Sequence, residues 1–231
     1  MFNSTSSLYS VVKQVIKTGY STLLDLVLPP FCAHCRMFFG KREIFCKACS
    51  QLISPIVSTK IPVTPTKVMK VFAIAGYKDP LRSLILAKGW SDIVAARQLG
   101  ELVWDMTYLK NMEIDFFVPI PLHWSRFAKR GFNQAHEMAK VIARNSGKPV
   151  HQLLKRPKRT AFQMGLKQKM RAENLKDAFQ PCCKDETRYK GKHLVLVDDL
   201  MTTGSTLKAA ARQLYKLQPA SVSAVVACRV V

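Results

Sequence analysis

Four apolar runs of strand length, VFAIAGY (71–77), IDFFVPI (114–120), HLVLVDD (193–199) and SVSAVVACRVV (221–231), constrain this chain more than any other feature. Several are apolar at consecutive positions, which suits strands buried on both faces. Between them lie segments of helical period: DPLRSLILA, SDIVAARQLGELVWDMTYLK, GFNQAHEMAKVIARN and STLKAAARQLYKLQ. Ser91 and Ser205 stand where the second and the last of these helices need N-caps. Such alternation means βαβ units, so residues 67–231 are expected to form a mostly parallel sheet flanked by helices. Ligands of such a sheet belong at the carboxyl ends of its strands.

One strand end carries more chemistry than the others. In VLVDDLMTTGST (195–206) an apolar strand ends in Asp198 and Asp199, the chain turns through Leu200 to Gly204, and a helix begins near Ser205. Free backbone N–H groups, the positive end of the helix dipole and the hydroxyls of Thr202, Thr203, Ser205 and Thr206 would cradle a phosphate. Gly204 lets the backbone approach closely. Carboxylates repel phosphate, so Asp198 and Asp199 are expected to face neutral hydroxyls or a hydrated cation. A ribose 5-phosphate meets both demands. The plainer alternative, that the two acids only cap the helix, leaves two costly charges at the end of a buried strand without use. No G-x-x-x-x-G-K-[ST] occurs, and no G-x-G-x-x-G follows a strand.

Ahead of this domain, CAHC and CKAC place Cys32, Cys35, Cys46 and Cys49 as two C-x2-C knuckles with ten residues between them. Two thiolates per knuckle complete a four-sulfur tetrahedron, the pattern of a structural zinc site. A redox C-x-x-C would need only one pair, beside a strand and a helix. His34 reads as a bystander, and Cys182, Cys183 and Cys228 as packing residues. Residues 1–30 carry Leu8, Val12, Val15, Tyr20, Leu23 and Val27 at helical spacing, interrupted by Lys13, Lys17 and Asp25. They are expected to form an amphipathic helix packed on the protein, with docking on a membrane surface or a partner as the alternative. Nothing here reaches the roughly 18 apolar residues of a spanning helix or looks like an export signal, so a cytoplasmic chain with reduced cysteines is expected. The Pro-containing stretch SPIVSTKIPVTPTK (54–67) reads as a linker or extended arm, closing a zinc module and linker at residues 31–66.

Lys and Arg number 36 against 15 Asp and Glu, a formal charge of +21, which favours polyanionic partners. Between Glu137 and Glu173 there is no acid, whereas Lys155, Arg156, Lys158, Arg159, Lys167, Lys169 and Arg171 all fall there. That segment could close over a phosphorylated ligand, contact nucleic-acid phosphates, or stand solvated. Phe162 alone is a thin stacking platform for bases.

With these residues in view, VLVDDLMTTGST resembles the phosphoribosyl pyrophosphate signature of type I phosphoribosyltransferases. LLDLVLPPFCAHC, VPIPLHWSRFAKRGFNQA (118–135) and LLKRPKRTAFQMGLKQKMRAENLKDAF (153–179) extend the resemblance nearly end to end, to the ComF family of competence proteins. A local departure is Gly89 after Lys88, where that family usually carries Tyr. The resemblance implies a type I phosphoribosyltransferase-like parallel sheet with a small N-terminal four-cysteine zinc module. It assigns Asp198 and Asp199 to the reacting ribose as the catalytic pair, and Leu200, Met201, Thr202, Thr203, Gly204, Ser205 and Thr206 to phosphoribosyl pyrophosphate. Pro121, Leu122 and His123 become a pyrophosphate loop, with Arg126, Lys129 and Arg130 nearby; packing under a loop is the plainer role for His123 and Trp124. Mg²⁺ is the implied cofactor, bridging pyrophosphate and ribose oxygens.

Two functions follow. One is a phosphoribosyltransferase with an acceptor that no residue reveals. The other is a DNA-handling protein of natural transformation, with single-stranded DNA and competence proteins as partners, at or near the cytosolic face of the inner membrane. For it, Arg126, Arg130, Lys155, Arg156, Lys158, Arg159 and Arg171 are the candidate contacts. A non-catalytic protein that keeps the phosphoribosyl site as a sensor or relic is the alternative to both.

Overall fold

A computed structural model describes residues 31–40, 43–56, 58–87, 93–157, 178–183 and 185–230. The N-terminal helix expected over residues 1–30, Lys88, Gly89, the Ser91 cap and the basic positions Lys158, Arg159, Lys167, Lys169 and Arg171 with Phe162 lie outside the described residues. The chain divides into two compact units, Met1–Ser50 and Gln51–Val231.

In the larger unit the strands β1 (Thr59–Pro62), β2 (Val68–Gly76), β3 (Phe116–Pro119), β6 (His193–Met201) and β7 (Ser221–Arg229) build one sheet in the order β1-β2-β7-β6-β3. β2, β7, β6 and β3 are mutually parallel, and β1 adds an antiparallel edge on β2. The larger unit therefore starts ahead of the boundary expected near residue 66. The stretch read as a linker or arm is extended, and Thr59–Pro62 uses that conformation to pair with Val68–Val71. Two short strands outside the main sheet, β4 (Leu154–Lys155) and β5 (Gln180–Pro181), pair antiparallel on either side of the basic segment.

The central strands are apolar on both faces because helices cover both. Leu194, Leu196, Ala224 and Val226 pack with Leu207, Ala210 and Leu214 of α6 (Ser205–Leu214). On the alternate face, where Val195, Val197 and Val225 are buried, α3 (Ile93–Met106) and α5 (Gln134–Ser146) pack on the sheet. Each such branched side chain contributes about 1.5–3 kcal/mol by leaving water. At Gly100 of α3 a Cβ would lie 2.9 Å from the Met138 carbonyl oxygen and 2.9 Å from Val141 Cβ of α5. Only glycine admits so close a helix crossing.

Three further α-helices lie among the described residues: α1 (Lys47–Gln51), α2 (Leu81–Ala87) and α4 (Trp124–Arg130). Hydrophobic periodicity does not announce α4, which buries none of its residues. Of the three cysteines read as packing residues, Cys228 is buried and Cys183 lies against the core, but Cys182 is exposed and donates its thiol to the Gln152 carbonyl at 3.1 Å.

Candidate functional site

β3 and β6 are neighbours in register, Pro119 opposite Val197, and the Ile120 N–H donates to the Val197 carbonyl at 2.9 Å. The loop after β3 (Pro121, Leu122, His123) and the acid pair Asp198–Asp199 therefore emerge side by side at the carboxyl ends of two strands. Both acids are half-buried, and the Asp199 N–H donates to Asp198 Oδ1 at 3.0 Å. β6 continues through Leu200 to Met201, whose carbonyl accepts from the Val230 N–H at 2.8 Å. Thr202 and Thr203 are exposed beyond it, and Ser205 and Thr206 open α6.

The cap of α6 differs from expectation. Gly204, not Ser205, is the N-cap, with left-handed backbone at φ 74° and no side chain to offer the helix. Ser205 is the first helical residue, and its hydroxyl lies 2.7 Å from that of Thr203. A Cβ on Gly204 would fall 2.5 Å from Ile61 Cδ1 of the edge strand. The left-handed backbone angle calls for glycine here, and a Cβ would in addition have to push the end of the Ile61 side chain aside.

The loop after β3 is held by residues that the motif contains but periodicity does not single out. Asn133 caps α5, its Oδ1 accepting from the Ala135 N–H at 3.1 Å, while its Nδ2 donates to the Ile120 carbonyl at 2.9 Å. One amide thus ties the base of the loop to a helix. The usable sequence signal is Asn immediately ahead of an apolar-periodic segment. His123 is buried and caps α4, its Nδ1 accepting from the Ser125 N–H at 3.3 Å and lying 2.8 Å from the Ser125 hydroxyl. Trp124 departs from the packing role and is 71% exposed.

Candidates far apart in sequence share one electrostatic environment. Burial, and then the Arg126 charge, lowers the pKa of the half-buried Arg156 guanidinium, while the Asp198 carboxylate opposes that shift. Arg156 also stacks its guanidinium over the Phe179 ring, 5.3 Å from the centroid. Arg130 donates to Gln134 Oε1 at 3.1 Å, and Lys155 is exposed on β4. Lys158, Arg159 and Arg171, outside the described residues, are not assigned a position. A cavity of about 720 Å³ opens between this loop, α4 and Gln152–Pro157. His136 in its wall has its pKa lowered by burial and then by Lys140, which favours the neutral ring. Asp198 and Asp199 offer hard carboxylate oxygens, the donor type that Mg²⁺ prefers, so the residues present fit that ion.

In the smaller unit the four thiols of Cys32, Cys35, Cys46 and Cys49 lie within 4.8 Å of one another. The first knuckle is a turn in which the Arg36 N–H donates to the Cys32 carbonyl at 3.1 Å, with Arg36 at φ 62°. The second runs into α1, one helical turn bringing Cys49 beside Cys46. Cys35 and Cys46 sulfurs are 3.7 Å apart, too far for a disulfide and close to the edge of about 3.8 Å that a tetrahedron with Zn–S bonds near 2.3 Å requires. Burial raises the Cys32 pKa, but hydrogen bonds from the Cys46, Cys35 and His34 backbones bring it down to about 6; burial and the neighbouring thiols push Cys49 up to about 12. The four-sulfur set could hold one zinc ion, and His34 is outside it.

Set beside known proteins, residues 93–230 match the family described as "Phosphoribosyl transferase domain". Competence protein F of Haemophilus influenzae is 31% identical over 196 residues, spanning 81% of this chain and 80% of that protein. DNA utilization protein YhgH of Salmonella typhimurium is 28% identical over 228 residues, 88% of this chain and 99% of its own. Competence protein ComFC of Bacillus subtilis is 38% identical over 109 residues, 46% of this chain and 41% of its own.

Proposed function

Because the chain belongs to the ComF family within the type I phosphoribosyltransferase superfamily, we propose that it binds phosphoribosyl pyrophosphate with Mg²⁺ and acts in DNA uptake. The observation that carries the ligand half is the meeting, on adjacent parallel strands, of the Asp198–Asp199 pair and Gly204 turn with the loop Pro121–His123. Thr202–Thr206 and the first amides of α6 take the 5-phosphate. Asp198 and Asp199 accept hydrogen bonds from the ribose 2′ and 3′ hydroxyls and steady positive charge on the sugar ring. The loop after β3, with Arg126 and Arg156 beside it, balances the pyrophosphate. Mg²⁺, for which Asp198 and Asp199 offer carboxylate oxygens, would neutralise pyrophosphate charge when bound. If an acceptor attacks the anomeric carbon, these cations stabilise the departing pyrophosphate, and the carboxylates favour an oxocarbenium-like state.

The DNA half draws on the names of the relatives, two competence proteins and a DNA utilization protein, and on a formal charge of +21. Lys155 and Arg156, with Arg126 and Arg130, supply phosphate contacts next to the sugar site; Lys158, Arg159 and Arg171 are further candidates by sequence alone. Among the described residues no helix is long and apolar enough to cross a membrane. Contact with competence proteins or the inner membrane is left to residues 1–30. The four cysteines hold structural zinc in this reading, and metal analysis of protein purified without chelator should give one equivalent per chain.

Calorimetric titration of the zinc-loaded protein with phosphoribosyl pyrophosphate and Mg²⁺ tests the ligand reading. Heat of binding that disappears in the Asp198→Ala/Asp199→Ala variant supports it. A folded wild type that binds nothing makes the motif a relic and leaves nucleic acid as the function. Release of pyrophosphate in the presence of candidate acceptors then separates a transferase from a sensor.

A further inference from the structure

Trp124 and Phe127 sit one turn apart on α4 and are 71% and 51% exposed. Large aromatic side chains held in solvent mark contact surfaces more often than they serve the fold. Neither ring belongs to the buried core, whereas the adjacent His123 is 4% exposed. Both line the cavity of about 720 Å³ together with Phe132, and the opposite rim carries Lys155 and Arg156. Arg126, Lys129 and Arg130 come from the same helix as the two rings. Glu137 lies in the cavity wall, but its carboxylate is held by Arg97 at 3.1 Å and by Lys140.

Flat apolar rings that share a cavity with Lys155 and Arg156, and a helix with three further cations, narrow the partner. An apolar protein segment would gain nothing from the cations, and an acidic peptide would leave the rings wet. A duplex keeps its base faces stacked on one another and offers phosphates and base edges, neither of which an aromatic ring can stack on. A single strand offers both flat bases and phosphates, and aromatic side chains are what sequence-tolerant single-strand binders place between cations. We infer that Trp124 and Phe127 form a stacking platform for unpaired bases of single-stranded DNA, with Lys155, Arg156 and Arg130 on its phosphates. This rests on the DNA-handling reading and adds to it the residues that recognise bases rather than charge.

The test compares fluorescein-labelled oligo(dT) with an abasic strand of equal length and charge, by anisotropy on the full zinc-loaded chain. The platform requires wild type to prefer oligo(dT). It also requires the Trp124→Ala/Phe127→Ala variant to bind oligo(dT) roughly ten- to a hundredfold more weakly. Its salt dependence should be unchanged, since phosphate contacts set that slope. Trp124→Phe should recover most of the affinity. Should the double variant misfold, Trp90→Phe/Trp104→Phe makes Trp124 the reporter, and its emission should be quenched by unlabelled oligo(dT) and not by the abasic strand. Equal wild-type affinity for both strands overturns the platform while leaving phosphate-led DNA binding in place. No binding to either strand removes the DNA reading and the platform together.

Discussion

Two cavities of nearly equal volume, about 720 Å³ and about 700 Å³, lie at opposite ends of the parallel strands. The larger sits at the carboxyl ends beside Pro121 and Leu122, the other at the amino ends around His193, Ser221 and Glu113. At the amino ends the polar groups occupy one another. His193 Nδ1 is 2.8 Å from the Ser221 hydroxyl, its Nε2 is 3.4 Å from Glu113, and its N–H donates to Asp115 Oδ2 at 2.8 Å. Asp115 is also 3.4 Å from Lys192. At the carboxyl ends the same sheet delivers an acid pair, a glycine turn with a helix start, and arginines from two other segments. Volume therefore does not distinguish the two places. Chain polarity does, because a strand feeding a crossover helix puts that helix's donor end at its own carboxyl terminus.

The strongest way to sharpen this contrast is to remove carboxylates from each end in turn. Asp198→Ala with Asp199→Ala should weaken phosphoribosyl pyrophosphate binding at least about a hundredfold, since each lost charge-assisted hydrogen bond is worth about 1.5–3 kcal/mol. Glu113→Ala, at the other end, should leave calorimetric affinity within about twofold, because that carboxylate is 87% exposed and its ion pair with His193 is long. Equal losses from the two variants would erase the distinction. Gly204→Ala comes next. A non-glycine residue at φ 74° costs about 1–2 kcal/mol, and the Ile61 contact at 2.5 Å adds to it, so both melting temperature and ligand affinity should fall. Adding Ile61→Ala should restore only the part owed to crowding.

How far the sequence anticipates these ends depends on the kind of signal. Both-face apolar runs found all four parallel strands, because burial between helix layers leaves no polar alternation to misread. The edge strand Thr59–Pro62 is legible only as an extended arm, since its proline suits an edge and hides the pairing. Helix α4 was not legible, because a helix that buries nothing has no apolar stripe. The glycine of the turn is legible for its conformational freedom, yet Ile61, the edge-strand residue that a Cβ there would meet, is remote in sequence, and no local pattern reports it. Trp124 is equally illegible: tryptophan beside a loop is usually packed, yet here it is 71% exposed while the adjacent His123 is buried.

The amino end should answer to pH rather than to ligand. Asp115 has its pKa lowered chiefly by the His193 backbone N–H, against desolvation, and then by Lys192. A depressed carboxylate stabilises the fold above its unfolded value of about 3.9, and that contribution fades as pH falls through the lower folded value. Asp115→Ala should therefore reduce unfolding free energy by about 1–2 kcal/mol near neutral pH. The gap from wild type should close below about pH 4. A gap that stayed constant into strong acid would mean that the side chain acts by shape and not by charge.

The smallest expected effect probes a residue that links stability to the carboxyl-end loop. Asn133 accepts from Ala135 as a helix cap and donates to Ile120 as a loop anchor, so the two roles can be separated by chemistry. Asn133→Ala loses both and should lower stability by about 1 kcal/mol. Asn133→Asp keeps an acceptor for the cap, and its carboxylate suits a helix start, so the melting temperature should stay close to wild type. What it cannot do is donate to the Ile120 carbonyl, which would then face a negative charge. Weaker phosphoribosyl pyrophosphate binding with preserved melting would place the loop after β3 in the ligand site through this anchor. Unchanged binding would mean that Pro119 and Val197 already fix the loop, and that strand pairing alone positions the carboxyl end.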